Sequence, residues 1–255
     1  MNASYPEATV FHSEARILTS SYTERNYQIS VWLPPDYSNS RKSFPVLYLL
    51  DGNFLFGVAA NLILPLIWGN ELPELIIVGI GYEIHSYDEW GKLRSHDMTP
   101  TTVSDVPGSG GSEDFLSFIK AELIPYIDTN YRTNTADRAI IGHSYGGLFV
   151  LYTLLHEPHL FHRYCAGSPV PDYDERVLFD YEQNFAEKYS ALPVKVAVIV
   201  GELERDVVGA TRDFCTVLSN RNYEGLELTF MVLDGESHIS LLAPLIVKGL
   251  KTIFG

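Results

Sequence analysis

Two cysteines in 255 residues, Cys165 and Cys215, cannot make a disulfide framework, so the fold must rest on its core. Basic residues are also scarce: 18 Lys and Arg against 32 Asp and Glu leave a formal net charge of −14. That field argues against nucleic acid or an anionic membrane as partner, and it mildly disfavours a highly anionic substrate. Long apolar runs are missing too. The longest, "LFGVAANLILPLIWG", contains Pro65 and falls short of the roughly 18 residues that mark a bilayer span. The opening "MNASYPEATVFHSEA" carries neither a basic nor an apolar segment of a secretory signal, and a cytoplasmic protein is expected.

Cofactor motifs are equally thin. "PGSGGS" lacks the Lys-Ser/Thr of a phosphate-binding loop, and "GIG" at 79–81 does not complete a dinucleotide fingerprint. "HEPHLFH" gathers His156, His159 and His162 without the H-E-x-x-H spacing, and Pro158 interrupts it. "SFIK" matches S-x-x-K, but its partner motifs are absent and Ser117 falls on an amphipathic helix. No metal or organic cofactor is expected.

What the chain does have is apolar mass. Hydrophobic residues make up 46% of it, with 16 Tyr and 13 Phe, enough for one large core over residues 1–255. "FPVLYLLDG", "ELIIVGIG", "RAIIG" and "VKVAVIVG" are short continuous apolar runs, the pattern of strands buried on both faces. Amphipathic or apolar helical stretches alternate with them; in "SEDFLSFIKAELIPYIDTNY", Phe115, Ile119, Leu123 and Ile127 recur every four residues, with Ser112 placed to cap. Such alternation predicts an α/β fold, a mostly parallel sheet with helices on both faces. Residues 82–111 break the pattern. They are polar, aromatic and glycine-rich without a period, and read as a long loop lining a pocket.

"IIGHSYGGLFVLY" then carries the chemistry. Gly142 and Gly146 flank Ser144 between a predicted strand and a predicted helix, the G-x-S-x-G turn that lifts a nucleophile clear of a sheet. Glycines two residues either side remove collisions in so tight a turn, and the helix N-terminus favours developing negative charge. A serine nucleophile needs a base and the base an orienting acid, here expected in the order serine, acid, histidine. His238, in "ESHISLL" after the last predicted strand, is the base. The acid comes from "GELERD": Glu204 is preferred, with Glu202 and Asp206 open as alternatives. The oxyanion donors are the backbone N–H groups of Tyr145, directly after the nucleophile, and Asn53, in the "LLDGN" turn.

Taken together, "YQISVWLPPDY", "FPVLYLLDGN", "RSHDMTPT", "GGSEDFLSFIKAELIPYIDTNYRT", "RAIIGHSYGGLFVLYTLLHEPHLF", "SPV" and "GESHISL" resemble the α/β-hydrolase superfamily. More closely they resemble the esterase family that includes siderophore (enterobactin-type) esterases, S-formylglutathione hydrolases and feruloyl or acetylxylan esterases. The resemblance implies an α/β-hydrolase fold and a serine carboxylic-ester hydrolase acting on small-molecule, short-acyl esters, with Ser144 as nucleophile and His238 as base. It further implies that Arg94, Asp97 and the Thr99-Pro100 turn shape the active-site rim; Trp90, in the same segment, joins them as a substrate-binding candidate. Siderophore-type members favour basic pockets, for which the chain offers the scattered Lys92, Arg94, Arg163 and Arg176. Thioester hydrolysis and acyl transfer to an alcohol would use the same groups, whereas a silent binding module would lack one of the three.

Overall fold

The computed structural model describes residues 9–255; residues 1–8, the first part of the stretch read for a signal, lie outside the described residues. Eight strands form one sheet: β1 (Ser13–Thr19), β2 (Asn26–Trp32), β3 (Phe44–Leu49), β4 (Ile76–Tyr82), β5 (Thr133–His143), β6 (Arg163–Gly167), β7 (Lys195–Gly201) and β8 (Glu227–Leu233). Their spatial order is β1-β2-β4-β3-β5-β6-β7-β8. β2 runs antiparallel to both β1 and β4, and every pairing from β4 to β8 is parallel.

Burial on both faces explains the continuous apolar runs. Along β3, Val46 and Tyr48 enter one core cluster while Leu47 and Leu49 enter the other, as the two-residue period of a strand requires. Helices α1 (Gly52–Trp68) and α8 (Leu242–Phe254) supply the second cluster, with Ala59, Ile63, Leu245 and Leu250 packed beneath the sheet. The first holds the residues of α5 (Tyr145–His156), α6 (Tyr173–Ala186) and α7 (Arg205–Asn220), such as Phe149, Phe185 and Phe214. None of the helices is long and apolar enough to cross a membrane among the described residues.

Two segments differ from the sequence-based expectation. Residues 82–111 are not one loop: α2 (Tyr87–Asp97) occupies their middle, capped by the Ser86 side chain accepting from the Glu89 N–H at 3.2 Å. This helix shows no amphipathic period because its buried residues are a polar pair, Arg94 and Asp97, and its apolar Trp90 and Leu93 are only half-buried against the core. The stretch from 112 to 130 is also not one regular helix. A wide turn, Ile119–Leu123, separates α3 (Ser112–Phe118) from α4 (Ile124–Asn130). Pro125 has no N–H and its ring crowds the carbonyl four residues back, so the ladder steps out and the Ile124 N–H reaches Ile119 O. Ser112 is the first helical residue, not the cap; its hydroxyl donates to Asp97 O at 3.2 Å.

Candidate active site

The turns beyond the C-terminal ends of β3, β5, β6, β7 and β8 meet on one edge of the sheet, where open parallel sheets bind ligands. At the end of β5 the chain reverses sharply into α5. Ser144 sits at φ 60°, ψ −124°, a conformation costly for a residue with a side chain. Close packing explains the sequence around it. A Cβ on Gly142 would overlap the carbonyl oxygen of Gly146, so residue 142 must be glycine. Gly146 itself has room: a Cβ there would meet Asp51 Oδ2 at an ordinary 3.5 Å. The second obligatory small residue is Gly147, whose Cβ would come within 2.5 Å of Gly167 O at the end of β6. The collision expected at 146 therefore falls one residue later.

His238 follows β8, and Glu204 precedes α7 at the end of β7. His238 Nδ1 lies 2.5 Å from Glu204 Oε2. The other carboxylate oxygen accepts from Ser168 Oγ at 2.6 Å and from the Gly201 N–H at 3.1 Å. Burial alone would raise the Glu204 carboxyl, but the hydrogen bonds from Ser168, His238 and Gly201 outweigh it and hold the acid below its ordinary value. The two alternatives go elsewhere. Glu202 accepts from the Gly235 N–H at 2.9 Å in the β8 turn, and Asp206 lies in the first turn of α7.

Ser144 and His238 share a cavity of about 340 Å³ with Asp51, Phe54, Leu55, Trp90, Arg94, His143, Ile239 and Leu242. Tyr145 and Asn53 occupy the first turns of α5 and α1, where backbone N–H groups have no partner within the helix. Asn53 is fixed by its own amide, which donates to Tyr82 O at 2.9 Å and accepts from the Tyr82 N–H at 2.8 Å.

The substrate-binding candidates divide. Trp90 and Arg94 line the cavity, but Asp97 does not. Asp97 is fully buried behind α2, accepting from the Tyr27 hydroxyl at 2.7 Å and from Arg25. Its place is in the packing of α2 on β2: a buried carboxylate needs partners, and Tyr27 and Arg25 supply them from across the contact, with the neighbouring His96 Nδ1 at 2.9 Å. Thr99 binds the Ser95 carbonyl at 2.6 Å. Of the scattered cations, Lys92 pairs with Asp88, Arg163 with Asp137 and Arg176 with Asp213; none of the three reaches the cavity.

Two residues escaped the sequence reading. Ser168, at φ 41° after β6 in the "SPV" stretch, carries no local pattern, yet its hydroxyl orients Glu204. His143 lies beneath His238, ring centroids 4.4 Å apart, with its Nε2 buried and without a hydrogen-bond partner among the described residues. Burial, and next the His238 ring, push the His143 imidazole down to about 4. Its position beside the serine was a signal, but sequence cannot tell which face of a strand end meets a distant loop.

A mostly parallel eight-stranded sheet, a serine in a strained strand-to-helix turn and a carboxylate-bound histidine in the same cavity define an α/β-hydrolase of the serine esterase class. The comparisons agree: residues 20–207 match the family model "Putative esterase". The chain belongs to this esterase family. It is 32% identical over 265 residues to the ferri-bacillibactin esterase BesA of Bacillus subtilis, covering 95% of this chain and 90% of that one. It is 27% identical to the apo-salmochelin esterase of Escherichia coli O6:H1, covering 89% of this chain and 74% of its relative. The crystal structure of the BES protein from Bacillus cereus superposes with a TM-score of 0.89 at 26% identity, covering 99% of this chain and all of that one.

Proposed function

We propose that Ser144, His238 and Glu204 act as nucleophile, base and orienting acid in cleaving the ester bonds of a siderophore-class substrate. The observation that carries this reading is the Glu204–His238 bond in the cavity that also holds Ser144. An ionised carboxylate only accepts, so His238 must donate through Nδ1. Its neutral tautomer then leaves Nε2 with a lone pair for the serine proton.

Ser144 Oγ attacks the ester carbonyl carbon as its proton passes to His238. The carbonyl oxygen takes the negative charge, met by the N–H groups of Tyr145 and Asn53. His238 then gives the proton to the departing alcohol oxygen, the C–O bond breaks, and the acyl group stays on Ser144. Water repeats the sequence: it loses a proton to His238, attacks the acyl carbon, and Ser144 leaves reprotonated with release of the acid.

The siderophore class comes from the relatives, which are named for such esters. A second reading, a short-acyl carboxylesterase, is favoured by the cavity itself. Its walls are mostly Phe54, Leu55, Trp90, Ile239 and Leu242, and Arg94 is neutralised by Asp51. An ester panel separates the two. A trilactone siderophore is expected to exceed p-nitrophenyl butyrate in kcat/KM; the opposite ranking gives the short-acyl reading. Ser144→Ala is expected to abolish turnover of both, and equal rates in variant and wild type would end the assignment of the nucleophile. Glu204→Gln is expected to lower kcat by about 10³-fold or more, in line with loss of a triad acid, whereas Glu202→Gln stays close to wild type.

A further inference from the structure

Among the described residues Arg94 is the one lysine or arginine lining the cavity, and its contacts are unusual for a residue meant to receive an anion. Nε donates to Asp51 Oδ1 at 2.8 Å, and Nη2 donates to Asp51 Oδ2 at 2.8 Å and to His143 O at 3.0 Å. One edge of the guanidinium is thus spent on two backbone turns. Its face lies 5.1 Å from the Trp90 ring and 5.6 Å from the Tyr145 ring. Both members of the ion pair are nearly buried, with side chains 11% and 7% exposed.

The positions of these partners matter. Asp51 stands two residues before Asn53, and His143 two residues before Tyr145. The first turn leaves β3 and the second leaves β5, which are neighbours in the sheet. Asp51 is held at φ 53°, off the ordinary backbone regions, where a side chain costs energy unless its surroundings fix it. Between the turns no other side-chain bond is formed among the described residues. Arg94 crosses from α2 and ties them together.

We propose that Arg94 is a positioning residue: its bidentate grip on Asp51 and its bond to His143 O hold the Asn53 and Tyr145 N–H donors in one constellation. The proposal rests on the assignment of those two donors and of Ser144 made above. It separates two roles that a cavity arginine could play. A receptor for an anionic group contributes binding that is the same before and at the transition state, and its loss raises KM for that substrate only. A clamp on donors that engage only the developing oxyanion leaves binding almost intact and lowers kcat for every ester, charged or neutral. Lysine cannot replace it, because a point charge pairs with Asp51 but lacks the fork that also reaches His143 O.

The experiment uses the intact chain with p-nitrophenyl acetate and the anionic p-nitrophenyl hemisuccinate. Arg94→Gln is expected to lower kcat on both esters by about 30- to 100-fold, a little less than outright loss of an oxyanion donor, with KM changed by less than about threefold. Where Arg94→Gln does not fold, Arg94→Lys carries the test; it keeps the charge opposite Asp51 and is expected to show the same split at about tenfold. Asp51→Asn breaks the clamp from its other end, and the double variant is expected to lose no more than the worse single one. If instead KM rises only for the hemisuccinate while kcat on the acetate stays at the wild-type level, Arg94 is an anion receptor and the clamp is overturned. Additive losses in the double variant would overturn it as well. Failure of the underlying assignment looks different: Ser144→Ala would then retain turnover with Arg94 intact.

Discussion

The turn at residues 142–147 and the helix at residues 87–97 meet at Arg94, yet they are built by opposite means. In the turn, backbone packs on backbone: Gly142 lies against the Gly146 carbonyl, Gly147 against the end of β6, and Ser144 is held at positive φ. In α2, side chains do the holding. Arg94 reaches Asp51 and His143, and Asp97 reaches Tyr27 and Arg25, while Tyr87 stands 77% exposed and a Cβ on Gly91 would touch nothing within 4 Å. A shape enforced by backbone sterics admits few residues at fixed spacing and so leaves a motif. A shape enforced by long side chains reaching distant partners leaves none.

Gly142→Ala tests the first half of that contrast with the largest effect. The added methyl must displace the Gly146 carbonyl or the β5 strand end, and either movement shifts Ser144. Displacement of a reacting group by about 1 Å costs on the order of 10² in rate, so kcat/KM should fall at least that far. Overpacking of this kind also costs about 1–3 kcal/mol, read as a lower denaturant midpoint. An alanine variant with wild-type activity would show that the turn is not sterically closed.

The same contrast explains how much could be read from the chain. The strands of the parallel half were legible because burial on both faces makes them uninterrupted apolar runs, as in "VKVAVIVG". Ser144 was legible from local sterics, and His238 from its place after the last strand. Glu204 could only be preferred over Glu202 and Asp206, since the choice depends on which carboxylate faces Ser168 and His238 across three separate turns. Asp97 was misjudged for the converse reason. It shares α2 with Arg94 but points to β2, and an eleven-residue helix with polar residues on both its inward faces has no period to reveal that.

His143 offers an intermediate test, from within the turn. Its imidazole is pushed from 6.5 down to about 4, first by burial and then by the neighbouring His238, while Asp51 and Glu204 pull it up and Arg94 pushes it further down. Between about pH 6.5 and pH 4 the unfolded chain therefore binds a proton at this residue that the native state refuses. Native stability rises with pH wherever the unfolded state holds more protons, so this contribution is complete above about pH 6.5 and is lost as the pH falls toward 4. The full loss amounts to about 3 kcal/mol at 1.36 kcal/mol per pH unit. Urea titrations of wild type and His143→Gln across that window should show a shallower acid loss in the variant. Equal slopes would mean that the ring is protonated in place and that the space beneath His238 admits charge.

The smallest effect is expected on α2. Gly91 is an interior helical residue with open space where its Cβ would stand, and it has no positive φ to preserve. Alanine there should remove backbone freedom from the unfolded chain and stabilise the protein by about 0.5–1 kcal/mol. Because the helix is fastened to the site through Arg94 and to β2 through Asp97, and a methyl at residue 91 would meet neither side chain, kcat on p-nitrophenyl acetate should stay at the wild-type value. Thermal unfolding and steady-state turnover of one preparation decide both points. A gain in stability accompanied by a fall in kcat would give the helix a different part: it would have to bend during turnover, with its glycine retained for motion, and the rigid turn would be only half of what sets the rate.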